Sequence, residues 1–344
     1  MGRSGTSLLM SLIGSHPQIH STPENYFSVF FANAFLHKTY FTPKDIALIH
    51  RFNLAFEKLQ PYVGFRYDLS NHSDLLKNGF HGTYFELCKQ IYRQFQHETL
   101  DKSEAKIVLD KNPANTLFFD KLLKINPNAK FVCIIRDYRS NALSRKQSPD
   151  IQSPHVVNSV IRWDYFNYKC QQLFFKHPEK CILVRYEDLV EAPEIEVERI
   201  FKFLEISNIT SHQEKERNSY SNYKLDNNLI TSQRAKKKFE DLSRPVYKDR
   251  LEKWRVHLSP REIEIAESLC GARGEAFGYH RSLHANFFKT ITSDIILEWR
   301  RIPIHFQFIK DRIFHRMPIS FKVKRFESYV NQVNKRRLNN AVDK

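Results

Sequence analysis

Three short apolar runs, each breaking off into polar residues and each followed by a helical pattern, leave this chain few folds to adopt. The runs are residues 105–109 before Asp110-Lys111-Asn112-Pro113, residues 130–135 before Arg136-Asp137, and residues 181–184 before Arg185-Tyr186-Glu187-Asp188-Leu189. A strand that is apolar at nearly every position is covered on both faces, as strands of a parallel sheet are. Helical patterns over 116–125, onward from Asp137 through Ser148, and over about 156–175 separate the runs. This alternation predicts an α/β fold of three layers, α/β/α, around a parallel sheet. Ligands of such sheets gather beyond the carboxyl ends of the strands. That rule puts Lys111, Arg136 and Tyr186 at one edge.

A fourth segment is expected at the same edge: Met1-Gly2-Arg3-Ser4-Gly5-Thr6-Ser7-Leu8-Leu9. Gly2 and Gly5 allow tight backbone turns, and Leu8, Leu9, Leu12 and Ile13 begin an apolar helical face. A loop opening into a helix aims backbone N–H groups at an anion, and Arg3 adds a planar charge with several donors. Two readings fit these residues alone, an oxyanion cradle or a Gly/Ser turn capping an ordinary helix. The nucleotide pattern Gly-x-x-x-x-Gly-Lys-Ser/Thr is not met, because Thr6 follows Gly5 where lysine would stand. A phosphate loop is normally fed by a buried strand. Only Met1 and Gly2 precede Arg3, so the first strand is expected to be truncated in the sequence as given.

The opening helix, residues 6–15, is closed by His16-Pro17, and an irregular stretch is predicted from there to Asn25. Residues 26–59 read as mostly helical, with Phe27, Phe30, Phe31, Phe35 and Leu36 on a core face. Further helices are predicted over 83–95, 194–204 and 260–269, the last begun by Ser259-Pro260-Arg261-Glu262. Residues 207–241 are polar, with Arg234, Lys236, Lys237 and Lys238 clustered, and predict an exposed loop.

With 344 residues, 41% hydrophobic, the chain is large enough for a sizeable core. Its formal charge of +16 points to an acidic partner: nucleotide phosphates, sulfated or carboxylated acceptors, nucleic acid, or a membrane surface. The excess is greatest in residues 281–344, which carry fourteen Lys/Arg and five Asp/Glu. The five cysteines, Cys88, Cys133, Cys170, Cys181 and Cys270, are odd in number and widely spaced, which argues against a disulfide framework or a zinc site. Cys133 and Cys181 read as small buried hydrophobes. The histidines form no ligand set, so no metal is predicted. There is no apolar run of about eighteen residues and no signal peptide at the start, which predicts a soluble, cytoplasmic chain.

Taken in order, these segments resemble the sulfotransferase family that uses 3′-phosphoadenosine 5′-phosphosulfate, with spacing similar to its tyrosylprotein sulfotransferases and their bacterial relatives. The resemblance runs from Arg3 to about Tyr279 and is thin over residues 26–104. It implies a P-loop-type fold. Residues 3–9 are similar to the family's 5′-phosphosulfate loop, which implies that Ser4, Gly5, Thr6 and Ser7 hold the 5′-phosphate. Arg3 would offset charge on the bridging oxygen as the sulfuryl group leaves. His16-Pro17 through Pro23-Glu24 is similar to the segment bearing the general base, which implies that Glu24 takes the proton from the acceptor hydroxyl. Asp110-Lys111-Asn112-Pro113 resembles the segment whose lysine stabilises the transferring group. Arg136 and Ser144 match the 3′-phosphate contacts, and Tyr186 matches a tyrosine near the nucleotide. Arg244-Pro245-Val246 with Lys253-Trp254 resembles a late loop that closes over it. One departure stands out: some relatives carry a stabilising serine about six residues before that Pro-Val pair, where this chain has Lys238 to Glu240, with Ser232 and Ser243 as substitutes in the vicinity.

The resemblance thus implies a sulfotransferase domain over 1–280 and a basic C-terminal extension over 281–344. The reaction it implies is in-line transfer of a sulfuryl group to the hydroxyl of a protein tyrosine, a glycan or a small molecule. Arg3, Lys111 and the helix N-terminus supply the positive field, and no metal takes part. An acidic peptide or glycan suits a basic cleft; nucleic acid is not expected, and the tail suits a membrane surface. Two other readings stay open. One is a P-loop nucleotide kinase with Arg136-Asp137 at a metal-binding strand end; the other is a polyanion-binding protein without catalysis.

Overall fold

The computed structural model describes residues 2–59, 65–67, 73–97, 105–148, 155–207, 251–282, 299, 313–314 and 316–342. The chain divides into two compact units, unit 1 (1–9, 128–208, 245–310) and unit 2 (10–127, 209–244, 311–344). The elements begin with α1 (Thr6–Gly14), β1 (Ile19–Thr22), α2 (Phe27–Phe35), β2 (Tyr40–Phe41), α3 (Pro43–Leu59), β3 (Phe65–Tyr67) and α4 (Ser73–Asn78). Next come β4 (Phe80–His81), α5 (Tyr84–Tyr92), β5 (Phe95–His97), β6 (Ile107–Asp110), a 3-10 turn (Pro113–Leu117) and α6 (Phe119–Ile125). After these stand β7 (Phe131–Ile135), α7 (Tyr138–Lys146), α8 (Val156–Lys176), β8 (Cys181–Arg185), α9 (Tyr186–Glu191) and α10 (Pro193–Leu204). The helices Trp254–His257, Pro260–Glu275 and Ile319–Val342 follow. Parallel strand pairs interleaved with helices make this the α/β class that the alternation predicts.

In unit 1, β7 and β8 pair in parallel from Phe131 opposite Cys181 to Ile135 opposite Arg185. Both are apolar runs, as buried parallel strands require. α8 packs on β8, and the helix Pro260–Glu275 packs on α7 and α8. Local chemistry sets the helix starts. Asp137 caps α7 by accepting from the amides of Arg139 and Ser140, and Ser259 with Glu262 forms the capping box predicted ahead of Pro260.

In unit 2, β1 and β6 pair in parallel, Ile19 opposite Ile107 and Thr22 opposite Asp110. Two short antiparallel pairs, β2–β4 and β3–β5, accompany them. The core is aromatic: Phe27, Phe31, Phe35, Phe41, Phe52 and Phe56 are all fully buried. Strand β1 corrects the irregular stretch predicted for this region. Ile19-His20-Ser21-Thr22 carries one apolar side chain, so no strand pattern is visible. Burial is tolerated because His20 Nε2 meets Tyr92 O at 3.1 Å and Thr22 Oγ1 donates to Leu109 O at 3.2 Å. Residues 26–59 are mostly helical, as predicted, but in two pieces: α2 stops at Phe35, β2 intervenes, and α3 restarts where Thr42 Oγ1 accepts from Asp45 N at 3.2 Å ahead of Pro43.

The last helix, Ile319–Val342, packs on α3, with Val323 and Val330 buried. Arg51 grips its Glu327 through two bonds of 2.9 and 2.5 Å. All five cysteines are buried thiols outside any disulfide, Cys133 and Cys181 among them buried as expected. Among the described residues, no helix is long and apolar enough to cross a membrane.

Candidate functional site

Parallel pairing of β7 with β8 delivers the residues that follow them to one edge of unit 1: Arg136 after Ile135, and Tyr186 after Arg185. The Arg136 guanidinium lies 4.5 Å over the Tyr186 ring, and its Nη1 donates to Arg3 O at 3.4 Å. Trp163 Nε1 donates to the Arg136 carbonyl at 2.7 Å and steadies the strand end. The opening loop is thereby joined to the same edge.

Its backbone is left-handed at two positions, Arg3 (φ 70°) and Gly5 (φ 90°). Glycine is required at the second, since a Cβ there would collide with the Tyr186 ring and approach Ile134 to 3.3 Å. Arg3 Nε donates to Ser144 Oγ at 3.1 Å. Asn141 Nδ2 donates to Gly2 O at 3.2 Å and to Ser4 Oγ at 3.1 Å. The loop thus rests on Tyr186 and is tied to α7 by two side chains. Thr6 and Ser7 begin α1.

Sequence reasoning missed Asn141, although it stands three residues before Ser144 and so shares its helix face. Ser140, four residues before Ser144, instead donates to Leu251 O at 2.8 Å. Positive charge accumulates here. Burial, then the like charges of Arg162 and Arg3, push the Arg145 guanidinium down to about 10. Arg139 is structural, buried between Asp137 (2.7 Å) and Glu267 (2.6 Å) and under the Trp254 ring. Lys253 is exposed beside Trp254. Arg244, Ser232, Ser243 and the cluster from Arg234 to Lys238 lie outside the described residues.

Unit 2 repeats the strand-end device. Thr22 stands opposite Asp110, so Glu24, two residues beyond β1, and Lys111, one beyond β6, emerge at one edge. Their side chains form an ion pair, Lys111 Nζ to Glu24 Oε1, with Lys111 10% and Glu24 31% exposed. The Glu24 segment is fixed through its neighbour. Buried Asn25 accepts from Phe27 N at 2.9 Å and donates to Asn53 Oδ1 at 2.9 Å, and its carbonyl accepts from Asn112 Nδ2 at 3.3 Å. Asp110 is a second carboxyl near Lys111. Burial pushes it up to about 6, and Glu24 adds to the rise, against hydrogen bonds from Tyr92 and Asn115. The arrangement offers a held, partly accessible carboxylate able to accept a proton and a nearly buried ammonium able to stabilise negative charge. Of the predicted site residues, the structure brings Arg3, Ser4, Gly5, Arg136, Ser144 and Tyr186 together in unit 1, and Glu24 with Lys111 in unit 2.

A model of the sulfotransferase family matches residues 1–211. A Caenorhabditis briggsae protein named "Putative protein-tyrosine sulfotransferase" is 23% identical over 211 residues, 59% of this chain and 62% of that relative. A Caenorhabditis elegans protein of the same name is 26% identical over 151 residues, 42% of this chain and 55% of its own length. The aligned part thus spans between about half and two thirds of these curated relatives. Among solved structures, a sulfotransferase domain from the Synechococcus PCC 7002 olefin synthase superposes with a TM-score of 0.49 at 17% identity, covering 77% of this chain and 90% of that one. A sulfotransferase domain from the curacin biosynthetic pathway gives 0.49 at 16% identity, covering 78% and 94%.

Proposed function

This chain belongs to the sulfotransferase family, and on that premise we propose that it transfers a sulfuryl group from 3′-phosphoadenosine 5′-phosphosulfate to an acceptor hydroxyl. One observation carries the reading: the glycine loop 3–7, α7 and the β7 end, far apart in sequence, meet through the Arg3–Ser144 bond of 3.1 Å and the Arg136–Arg3 bond of 3.4 Å. The gathering of Arg3, Arg136, Arg145 and Arg162 suits a nucleotide with two phosphate positions.

In this reading Ser4, Gly5, Thr6 and Ser7 hold the 5′-phosphate by their amides and hydroxyls, and Arg3 neutralises the leaving oxygen. Arg136 and Ser144 hold the 3′-phosphate, Tyr186 supports Arg136 from beneath, and Arg244 with Lys253 belongs to the loop that covers the nucleotide. The nucleotide supplies an activated sulfuryl group. Glu24 accepts the proton of the attacking hydroxyl, and Lys111 stabilises the charge on the transferring group. No metal is assigned a role. The names of the curated relatives favour a protein tyrosine as acceptor, with a glycan or small alcohol as the outcomes to test against. Residues 1–280 hold the residues assigned these roles, and 281–344 form a basic extension.

Calorimetric titration with adenosine 3′,5′-bisphosphate tests the nucleotide assignment. Binding is expected, together with none for magnesium ATP, and Arg136→Ala weakens it roughly 10- to 100-fold by removing a charge-assisted contact. Unchanged affinity in that variant refutes the 3′-phosphate site. Glu24→Gln is expected to abolish transfer while sparing nucleotide binding, and full turnover would remove Glu24 from the mechanism.

A further inference from the structure

The last helix lies outside residues 1–211, the part matched by the family model. Within unit 2 it is nonetheless seated in the aromatic cluster that carries the Glu24 segment. Phe326 stacks on Phe52 with ring centroids 4.6 Å apart and reaches Phe56 at 6.2 Å. Tyr26, two residues beyond Glu24, stands edge-on to Phe56 at 4.8 Å and lies 6.5 Å from Phe52. Phe326 and Tyr26 therefore share one pair of rings.

Three further contacts fix how the helix is rotated. Lys322 Nζ donates to Phe30 O at 3.2 Å, Val323 and Val330 are buried, and Arg51 holds Glu327 through two hydrogen bonds. Three residues on from Phe326, and so on the same face, comes Tyr329, which leaves 54% of its surface exposed. The Tyr26 phenol is held above its ordinary range by burial and, after it, by Glu24 and Tyr329.

We infer that the last helix forms the acceptor side of the site, with Tyr329 as a specificity-determining residue and Tyr26 as the ring between it and Glu24. A half-exposed tyrosine on an anchored helix offers a flat apolar face and a hydroxyl at low entropic cost, which suits a residue that positions an acceptor without taking part in the chemistry. The inference rests on Glu24 being the base. It extends the working part of the chain beyond residue 280, into a segment that charge alone marks as an appendage.

The test uses the full chain and a radiolabelled sulfuryl donor with three acceptor probes: an acidic peptide with a single tyrosine, an unsulfated glycosaminoglycan and a simple phenol. With the probe that the wild type turns over best, Tyr329→Ala is expected to raise the acceptor KM roughly tenfold while leaving the nucleotide KM and the unfolding midpoint where they were. Tyr329→Phe should recover most of the loss if the ring face does the positioning. Phe326→Ala, which loosens the helix from Phe52, should raise the acceptor KM as well. An unchanged acceptor KM in Tyr329→Ala overturns the inference while wild-type turnover and its loss in Glu24→Gln leave the base assignment standing. A wild type that transfers to none of the three, or a fully active Glu24→Gln, overturns the base assignment and this inference with it.

Discussion

Substituting Gly5 by alanine isolates what seats the opening loop. Residue 5 sits at φ 90°, where an L side chain costs about 1–2 kcal/mol. The added methyl would also occupy the space of the Tyr186 ring and crowd Ile134, and overpacking of this kind costs about 1–3 kcal/mol more. Together the two amount to roughly 2–5 kcal/mol, which in a unit of this size lowers the unfolding midpoint by roughly 5–15 °C. Tryptophan fluorescence follows unit 1 alone, because the chain's three tryptophans, Trp163, Trp254 and Trp299, all belong to it. Trp163 is a direct reporter, since it donates to the Arg136 carbonyl beside the displaced ring. Gly2→Ala is the matched control: nothing lies within 4 Å of a Cβ there, and its melt should overlay the wild type. Equal midpoints for Gly5→Ala and Gly2→Ala would mean that the loop does not rest on Tyr186 as described.

Glu267→Ala withdraws a carboxylate that accepts from Arg139 at 2.6 Å and from the Ser282 amide and hydroxyl at 2.9 and 2.6 Å. Breaking a buried pair in this way should destabilise unit 1 by about 3–5 kcal/mol in fluorescence-monitored urea unfolding, and a loss below about 1 kcal/mol would refute the structural role given to Arg139. In unit 2, burial and then Lys121 push the Lys322 ammonium down to about 8 from 10.5. The folded chain therefore binds that proton less tightly than the unfolded chain: the penalty is full below pH 8 and fades as pH rises toward 10.5. Lys322→Met should accordingly exceed the wild type in stability at neutral pH and lose that advantage near pH 10, as read from urea unfolding by near-ultraviolet circular dichroism; a difference independent of pH would contradict the burial.

The parts of this architecture legible in sequence are those written in runs and caps. Phe131 to Ile135 can be read as a covered strand because every side chain is apolar, and Arg136 stands out because charge follows it at once. Ser259 and Glu262 announce their helix by reciprocal bonding within four residues. What escaped notice depends on partners remote in the chain. Strand β1 is polar, and its burial rests on the carbonyls of Tyr92 and Leu109, which sequence pattern does not associate with it. Asn141 serves the loop 137 residues away, and nothing local distinguishes it from a solvated amide. Lys322 reads as one more cation in a basic tail, whereas Val323 beside it and Phe326 one turn later draw that side of the helix into the aromatic core.

The same physical device places the proposed chemistry in both units. Parallel strands in register deliver their next residues to one edge, so Arg136 and Tyr186 meet after β7 and β8, and Glu24 and Lys111 meet after β1 and β6, 87 residues apart in sequence. A strand end is suited to this work because its ladder partners are exhausted: the following side chains are held by a rigid scaffold yet are free of the sheet's own alternation. Register then becomes a condition of function as well as of packing. Slipping β6 by one residue against β1 would exchange the faces of Asp110 and Leu109, withdraw Lys111 from Glu24 and leave the carboxyl that Tyr92 and Asn115 now satisfy without its donors. The Asp110–Tyr92 bond of 2.7 Å thus favours the register that pairs Lys111 with Glu24.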